Sequence, residues 1–256
     1  MADILVCIKR VPDLGGEISL TPDSMSVDTS RLGHTVSPHE ECAVELAIQA
    51  AKASDGEATV LSLGSADSLE QIRDALAVGC TGAVLVEAEA ERFGPADVAA
   101  AIAAVVRAHE QEGRTYDLIL LGNDAADTGD FQVGIRLAYA LGRPVVAGVS
   151  TIEVVGDRVI ARATAAEGTD IFEVDLPAVM TVMEGGVEPR YPSIPGRMKA
   201  KRVAVETVAP SISPAGPGRV RLKLPPVQPS QVQILGHGPE AASAVVDLLE
   251  SLGVSR

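Results

Sequence analysis

The stretch Gly122-Asn123-Asp124-Ala125-Ala126-Asp127-Thr128-Gly129-Asp130-Phe131-Gln132-Val133-Gly134 holds the most informative side chains of the sequence. An apolar run, Leu118-Ile119-Leu120-Leu121, precedes it, and helical spacing from Gly129 to Leu141 overlaps its end. The stretch is therefore expected to join a strand to a helix at the carboxyl edge of a sheet, where open α/β sheets bind ligands. Small residues allow close backbone approach, and a helix N-terminus offers unpaired N–H groups and a favourable dipole to a phosphate. GxxxxGK[ST] is absent and the stretch has no lysine, which disfavours NTP hydrolysis; GxGxxG is absent as well. On these residues alone, a nucleotide-phosphate site and an ordinary strand–helix connection both stay open.

Two further connections share that position at a strand end. Ser37-Pro38-His39-Glu40 opens a helix and reads first as a cap: Ser37 at the N-cap, Pro38 at the first helical position, Glu40 completing a capping box. Leu63-Gly64-Ser65 follows another strand. Together with Cys7 these connections would surround one cleft at the switch point of the sheet, large enough for a mononucleotide. Catalytic sets do not assemble. His34, His39, His109 and His237 lack metal-ligand spacing, with His109 on a polar stretch of helix, and Gly-x-Ser-x-Gly is missing. Asp127 and Asp130 could imitate a carboxylate pair or a metal site, although loop solvation and capping explain them more simply. Gly236-His237-Gly238-Pro239 reads as a turn.

A third kind of signal lies in Glu188-Pro189-Arg190-Tyr191-Pro192-Ser193-Ile194-Pro195-Gly196-Arg197-Met198-Lys199-Ala200-Lys201-Arg202. Ile194 is an aliphatic residue between two prolines, followed by a cationic run. Either this is a proline-stiffened surface loop, or it is a docking anchor in which an apolar knob ringed by charge loses little entropy on binding.

The elements that must position these residues alternate. Strands are expected at Ile4–Ile8, Ala58–Leu63, Ala83–Val86 and Leu118–Leu121. Helices are expected from Ser37 to Asp55, from Gly64 to Gly79, from Pro95 to His109 and from Gly129 to Leu141. Gly15 to Val36 reads as a hairpin-like excursion. Such alternation implies an α/β fold with a doubly wound, mostly parallel, Rossmann-like sheet. After Pro144 a β-meander is expected through Ser150–Val155, Val159–Thr164 and Ile171–Val174, with turns at Gly156-Asp157 and Glu167–Asp170. The chain then returns to the core through Ala178–Val182. Residues 1–202 form the expected α/β domain, with a recognition loop at 185–202. Residues 203–256 form an expected extended arm, closed by an amphipathic helix from Pro239 to Leu252. A long structureless arm is unusual inside a compact domain and makes more sense wrapped around a partner subunit.

Composition narrows the function classes. Among 256 residues, 46% are hydrophobic but only 2% aromatic, with no Trp. The core must then be Ala, Val, Leu and Ile, which does not suit a base-stacking platform. A net charge of −14 argues further against nucleic acid. No apolar run approaches membrane-helix length, and no signal segment is visible at the N-terminus, so a cytoplasmic location is expected. Cys7, Cys42 and Cys80 show no paired or zinc-ligand spacing and read as small buried hydrophobes.

Cys7-Ile8-Lys9-Arg10-Val11-Pro12-Asp13, the helix start Ser37-Pro38 with Ala43-Val44-Glu45, the Gly122–Gly134 stretch, and Glu188-Pro189-Arg190-Tyr191 with Met198-Lys199-Ala200-Lys201 resemble, in this order, the beta subunit of electron-transfer flavoproteins. The resemblance covers about 200 residues, and the last motif is its most specific part. It implies an electron-carrier subunit without turnover of its own, paired with an alpha subunit that carries most contacts to a redox-active FAD. It also implies a structural AMP in this chain. The AMP contacts would fall on Cys7, Ser37, Pro38, His39, Glu40, Leu63, Asn123, Asp124, Ala125, Ala126, Asp127, Thr128, Gly129, Asp130, Phe131, Gln132 and Val133. Docking of donor flavin dehydrogenases would fall on Tyr191, Ile194, Pro195, Met198 and Lys199, with a downstream oxidoreductase as acceptor. Leu14 occupies a position where some members place a tyrosine beside the flavin, and His39-Glu40 departs from the family pattern. Alternatives are a bifurcating-type subunit with a second FAD in the AMP site, a universal-stress-like adenine-nucleotide regulator, and a hydrolase using Asp127 and Asp130.

Overall fold

The computed structural model describes residues 1–13, 15, 18–218, 220–226 and 232–254. The chain divides into two units, Met1–Leu222 and Lys223–Arg256. Leu14, which stands where some members of the resembled family place a tyrosine, lies outside the described residues.

In the first unit the strand β1 (Ile4–Ile8) is buried at every position, as expected where helices cover both faces of a parallel sheet. A short antiparallel pair, β2 (Val11–Pro12) with β3 (His34–Thr35), closes the polar excursion that follows. The helix α1 (Pro38–Ala53) leads to β4 (Ala58–Gly64), α2 (Leu69–Val78) to β5 (Gly82–Glu87), and α3 (Pro95–Gln111) to β6 (Leu118–Gly122). Next come α4 (Val133–Leu141), β7 (Val145–Val149), the meander β8 (Thr151–Val155), β9 (Arg158–Ala165) and β10 (Gly168–Asp175), then β11 (Ala178–Val182), α5 (Ile194–Ala200) and β12 (Glu206–Val208).

Among the described residues the main sheet has seven strands in the order β12-β5-β4-β1-β6-β11-β7, and all its pairings are parallel. From β1 the chain steps outward through β4 to β5, then crosses back to lay β6 against the other side of β1. The order therefore reverses between β1 and β6, the place where such sheets leave a crevice at their carboxyl edge. Alternation along β1 splits the core: Ile4, Val6 and Ile8 join the layer packed on α1 and α2, whereas Leu5 and Cys7 join the layer packed on α3 and α4. β8, β9 and β10 form a separate antiparallel sheet.

Five local expectations are corrected. Val145–Val149 is a parallel strand, not foreseen because Gly142-Arg143-Pro144 reads only as a change of rhythm. Gly168–Asp170 belongs to β10 and not to a turn. The helix expected from Gly129 starts at Val133, because Gly129 (φ 58°) and Phe131 (φ 54°) are left-handed. The segment 185–202 is not all loop: Ser193 caps α5, its hydroxyl accepting from Gly196 N at 3.1 Å, and Pro195 sits in the first turn. The arm expected from 203 first adds β12 to the edge of the main sheet, and the first unit extends to Leu222. Asp97 holds that extension, accepting from Ala215 N at 3.0 Å and Gly216 N at 2.9 Å.

His109 is a further correction. It is 2% exposed, with Nδ1 2.9 Å from the Tyr116 hydroxyl and Nε2 2.9 Å from Glu206 Oε1. Partners from outside its helix satisfy it. The second unit contains α6 (Ala242–Ser251), preceded by a single 3₁₀ turn, and none of the α6 residues is buried.

Candidate functional site: a cleft at the switch point

The two connections that flank the reversal point, β1 to α1 and β6 to α4, are tied to each other. Ser37 is the N-cap residue of α1 by position, but its hydroxyl accepts from Ala126 N at 3.0 Å, across to the other connection. Its N–H in turn donates to Glu40 Oε2 at 3.0 Å, the reciprocal bond of the expected capping box. Lys9 Nζ reaches Asp127 Oδ1 and Oδ2, both at 2.7 Å. His39 Nδ1 lies 2.5 Å from Asp124 Oδ1 but off the hydrogen-bonding direction, so it has no aligned partner. Expected site residues from both connections are thus brought together, and Asp127 serves as the counter-ion of Lys9.

Backbone geometry explains why the connection from β6 is built of small residues. A Cβ on Gly122 would stand 2.6 Å from Glu40 Cγ, and one on Gly134 would stand 2.2 Å from Thr181 Cγ2. Asn123 anchors the loop base: its N donates to Val182 O at 2.9 Å, and its Oδ1 accepts from Thr181 Oγ1 at 2.6 Å. Gly129 N and Thr128 N both turn back to Ala125 O, which shapes the loop before α4. Gln132, the N-cap position of α4, makes no side-chain cap bond.

Glu40 is almost wholly buried. Burial pushes its carboxyl up to about 8, against the opposing pull of N–H groups from Ser37 and Lys9 and the Lys9 charge. Cys7, in the adjoining layer, is raised well beyond the usual thiol range by burial first and the Glu40 charge second. Burial also pushes Cys80 up to about 12 and raises Cys42. Low-pKa nucleophiles they are not. Leu63, like Cys7, is a buried wall of the layer on α3. Pro38 and Asp130 are exposed, as are Thr128, Phe131 and Gln132, while Val133 is half-buried. Lys9 and Thr181 were not among the expected site residues. Lys9 carried one signal, a cation at the end of a buried strand; Thr181 carried none, because its role depends on a non-local partner.

Among the described residues no cluster of His, Cys, Asp or Glu is placed to hold a metal ion, and no helix is long and apolar enough to cross a membrane.

The second group of expected residues lies on and beside α5. Tyr191, Ile194 and Met198 are 91%, 81% and 54% exposed, and Pro195, Lys199, Lys201 and Arg202 are exposed beside them.

A doubly wound parallel sheet with two cross-tied connections at its switch point defines an α/β protein of the Rossmann-like class. The family model described as "Electron transfer flavoprotein domain" matches residues 24–213. The beta subunit of the electron transfer flavoprotein of Syntrophomonas wolfei subsp. wolfei is 35% identical over 234 residues, 90% of this chain and 89% of that one. The human beta subunit is 36% identical over 81% of each chain. That of Megasphaera elsdenii is 31% identical over 96% of this chain and 95% of its own. The chain belongs to the electron transfer flavoprotein family.

Proposed function

We propose that this chain is the beta-type subunit of a heterodimeric electron-transfer flavoprotein. It pairs with an alpha subunit that carries FAD, and the complex passes electrons from donor flavin dehydrogenases to a downstream oxidoreductase in the cytoplasm. The bound flavin supplies the electron-transfer chemistry; this chain turns over no substrate. Its own work is to hold a structural AMP, to complete the heterodimer and to dock the donor.

One observation carries the AMP assignment. At the switch point, the Ser37–Ala126 bond joins the two connections, and the first turn of α4 has no capping side chain. That leaves N–H groups at a helix N-terminus for a phosphate to satisfy. Ser37, Pro38, His39, Glu40 and residues 123–133 would enclose the nucleotide, and Cys7 and Leu63 would supply the apolar wall. The Lys9–Asp127 pair would stand beside the phosphate as one cation already neutralised, so backbone N–H groups supply most of the anion recognition.

The docking role falls on Tyr191, Ile194, Pro195, Met198 and Lys199. Exposed apolar side chains beside Lys199, Lys201 and Arg202 fit a dehydrogenase surface with an apolar pocket and an acidic rim. Denaturing the purified heterodimer and separating the released nucleotides tests the cofactor assignment. One FAD and one AMP per heterodimer are expected. Two FAD, or a single FAD with no second nucleotide, overturns the AMP reading.

A further inference from the structure

Exposed apolar residues on a short segment usually sit on backbone that moves, yet the backbone under Tyr191, Ile194 and Met198 is held at several points. Glu45, on α1, is 4% exposed. Arg190 grips its carboxylate through two parallel bonds, Nε to Oε2 and Nη2 to Oε1, each 2.6 Å. Arg190 N adds a longer contact at 3.4 Å, and Gln49 Nε2 donates to the same carboxylate at 2.7 Å. A forked, charge-assisted pair of this kind fixes orientation as well as distance.

Further contacts hold the helix itself. Arg197 Nη1 meets Asp74 Oδ1 of α2 at 2.8 Å. Arg73, also on α2, donates to Ala200 O, the last carbonyl of α5, and at 2.6 Å to Val203 O just beyond the helix. At Gly196 the two helices come so close that a Cβ would stand 2.2 Å from Ala77 O, a backbone atom that cannot swing aside. Gly196 is therefore the residue that lets α5 lie flat on α2.

We propose that Arg190, Glu45 and Gly196 are positioning residues: they hold the Tyr191–Met198 segment in its docking geometry before a donor arrives. This rests on the docking role given above and names the device that makes it effective. The occupant is a flavin dehydrogenase with an apolar pocket rimmed by carboxylates. A segment already in its bound shape loses little conformational entropy on association. If unclamping reduces the competent population to a tenth, apparent affinity falls by about tenfold, while the rate inside the complex does not change.

The experiment uses the intact heterodimer and the purified flavin dehydrogenase that, reduced by its own substrate, reduces the wild-type complex fastest. Stopped-flow reduction is followed against donor concentration for wild type, Ile194→Ala, Arg190→Lys and Gly196→Ala. Hydrogen exchange is measured for the amides of residues 188–201. Arg190→Lys keeps the charge and loses the fork. It and Gly196→Ala are expected to raise the half-saturating donor concentration about three- to tenfold, to leave the saturated rate and FAD content unchanged, and to speed exchange in this segment alone. Should Ile194→Ala weaken the donor dependence while both clamp variants match wild type, positioning is overturned and docking stands. Should Ile194→Ala itself match wild type at subsaturating donor, the docking role falls and the inference falls with it.

Discussion

At Glu40 a carboxyl group is packed between the start of α1 and the Gly122 backbone, with almost no contact with water. Its folded value of about 8 exceeds the ordinary carboxyl value of 4.5 chiefly because burial disfavours the charged form. Across that interval the folded chain holds a proton that the unfolded chain has released, so stability falls as pH rises. The contribution is fully present below about pH 4.5 and is lost as pH passes through about 8. Glu40→Gln keeps an oxygen acceptor for the Ser37 and Lys9 N–H groups and cannot ionise. Its melting midpoint relative to wild type should therefore be higher at pH 8.5 than at pH 5.5. A difference that is the same at both pH values would show that Glu40 does not titrate in this way. The sequence context of Ser37 announces a cap, and the position is a cap position, but the hydroxyl serves the neighbouring connection through Ala126.

At the scale of elements, the loop between β6 and α4 is set by its left-handed positions. A Cβ on Gly129 would meet nothing closer than Phe131 Cε2 at 3.9 Å, so within this chain the constraint is conformational, not steric. Gly129→Val, a β-branched residue forced to φ near 58°, should cost at least the roughly 1–2 kcal/mol of the left-handed conformation. It would also displace the backbone proposed to meet a phosphate. The expected result is a heterodimer with reduced AMP content and yield but ordinary flavin content. Nucleotide extraction checks it, and full AMP occupancy would contradict the assignment. The helices around this loop were legible because each carries local punctuation: Ser37-Pro38, Gly79, Pro95 and Gly142 stand at or next to ends the structure confirms. β7 and β12 were not legible. Val145–Val149 is only partly buried and lacks strict alternation, and Glu206–Val208 is too short for any pattern. Strands of this kind exist because a sheet edge is available to receive them. The burial of His109 was hidden for the same reason, since Glu206 reaches it from 97 residues away.

At the scale of the whole molecule, the unit Met1–Leu222 contains both buried core layers, the candidate cleft and the clamped α5 segment. Lys223–Arg256 contributes no buried residue through α6, although Val245, Val246, Leu248 and Leu249 stand at helical spacing and are exposed. An apolar helical stripe that stands exposed among the described residues is what a subunit-wrapping arm requires. A chain ending at Leu222 should therefore keep a single cooperative unfolding transition, because no described residue beyond Leu222 belongs to either core layer. It should also bind the alpha subunit at least tenfold more weakly than the full chain. Burying two or three aliphatic side chains against a partner contributes roughly 1.5–3 kcal/mol each before association costs, and tenfold requires only about 1.4 kcal/mol. Co-expression with the alpha subunit, followed by sedimentation of the purified proteins across a dilution series, measures both quantities. Unchanged affinity would place the subunit contact elsewhere, and a truncated chain that no longer unfolds cooperatively would show that the arm belongs to the core of this chain.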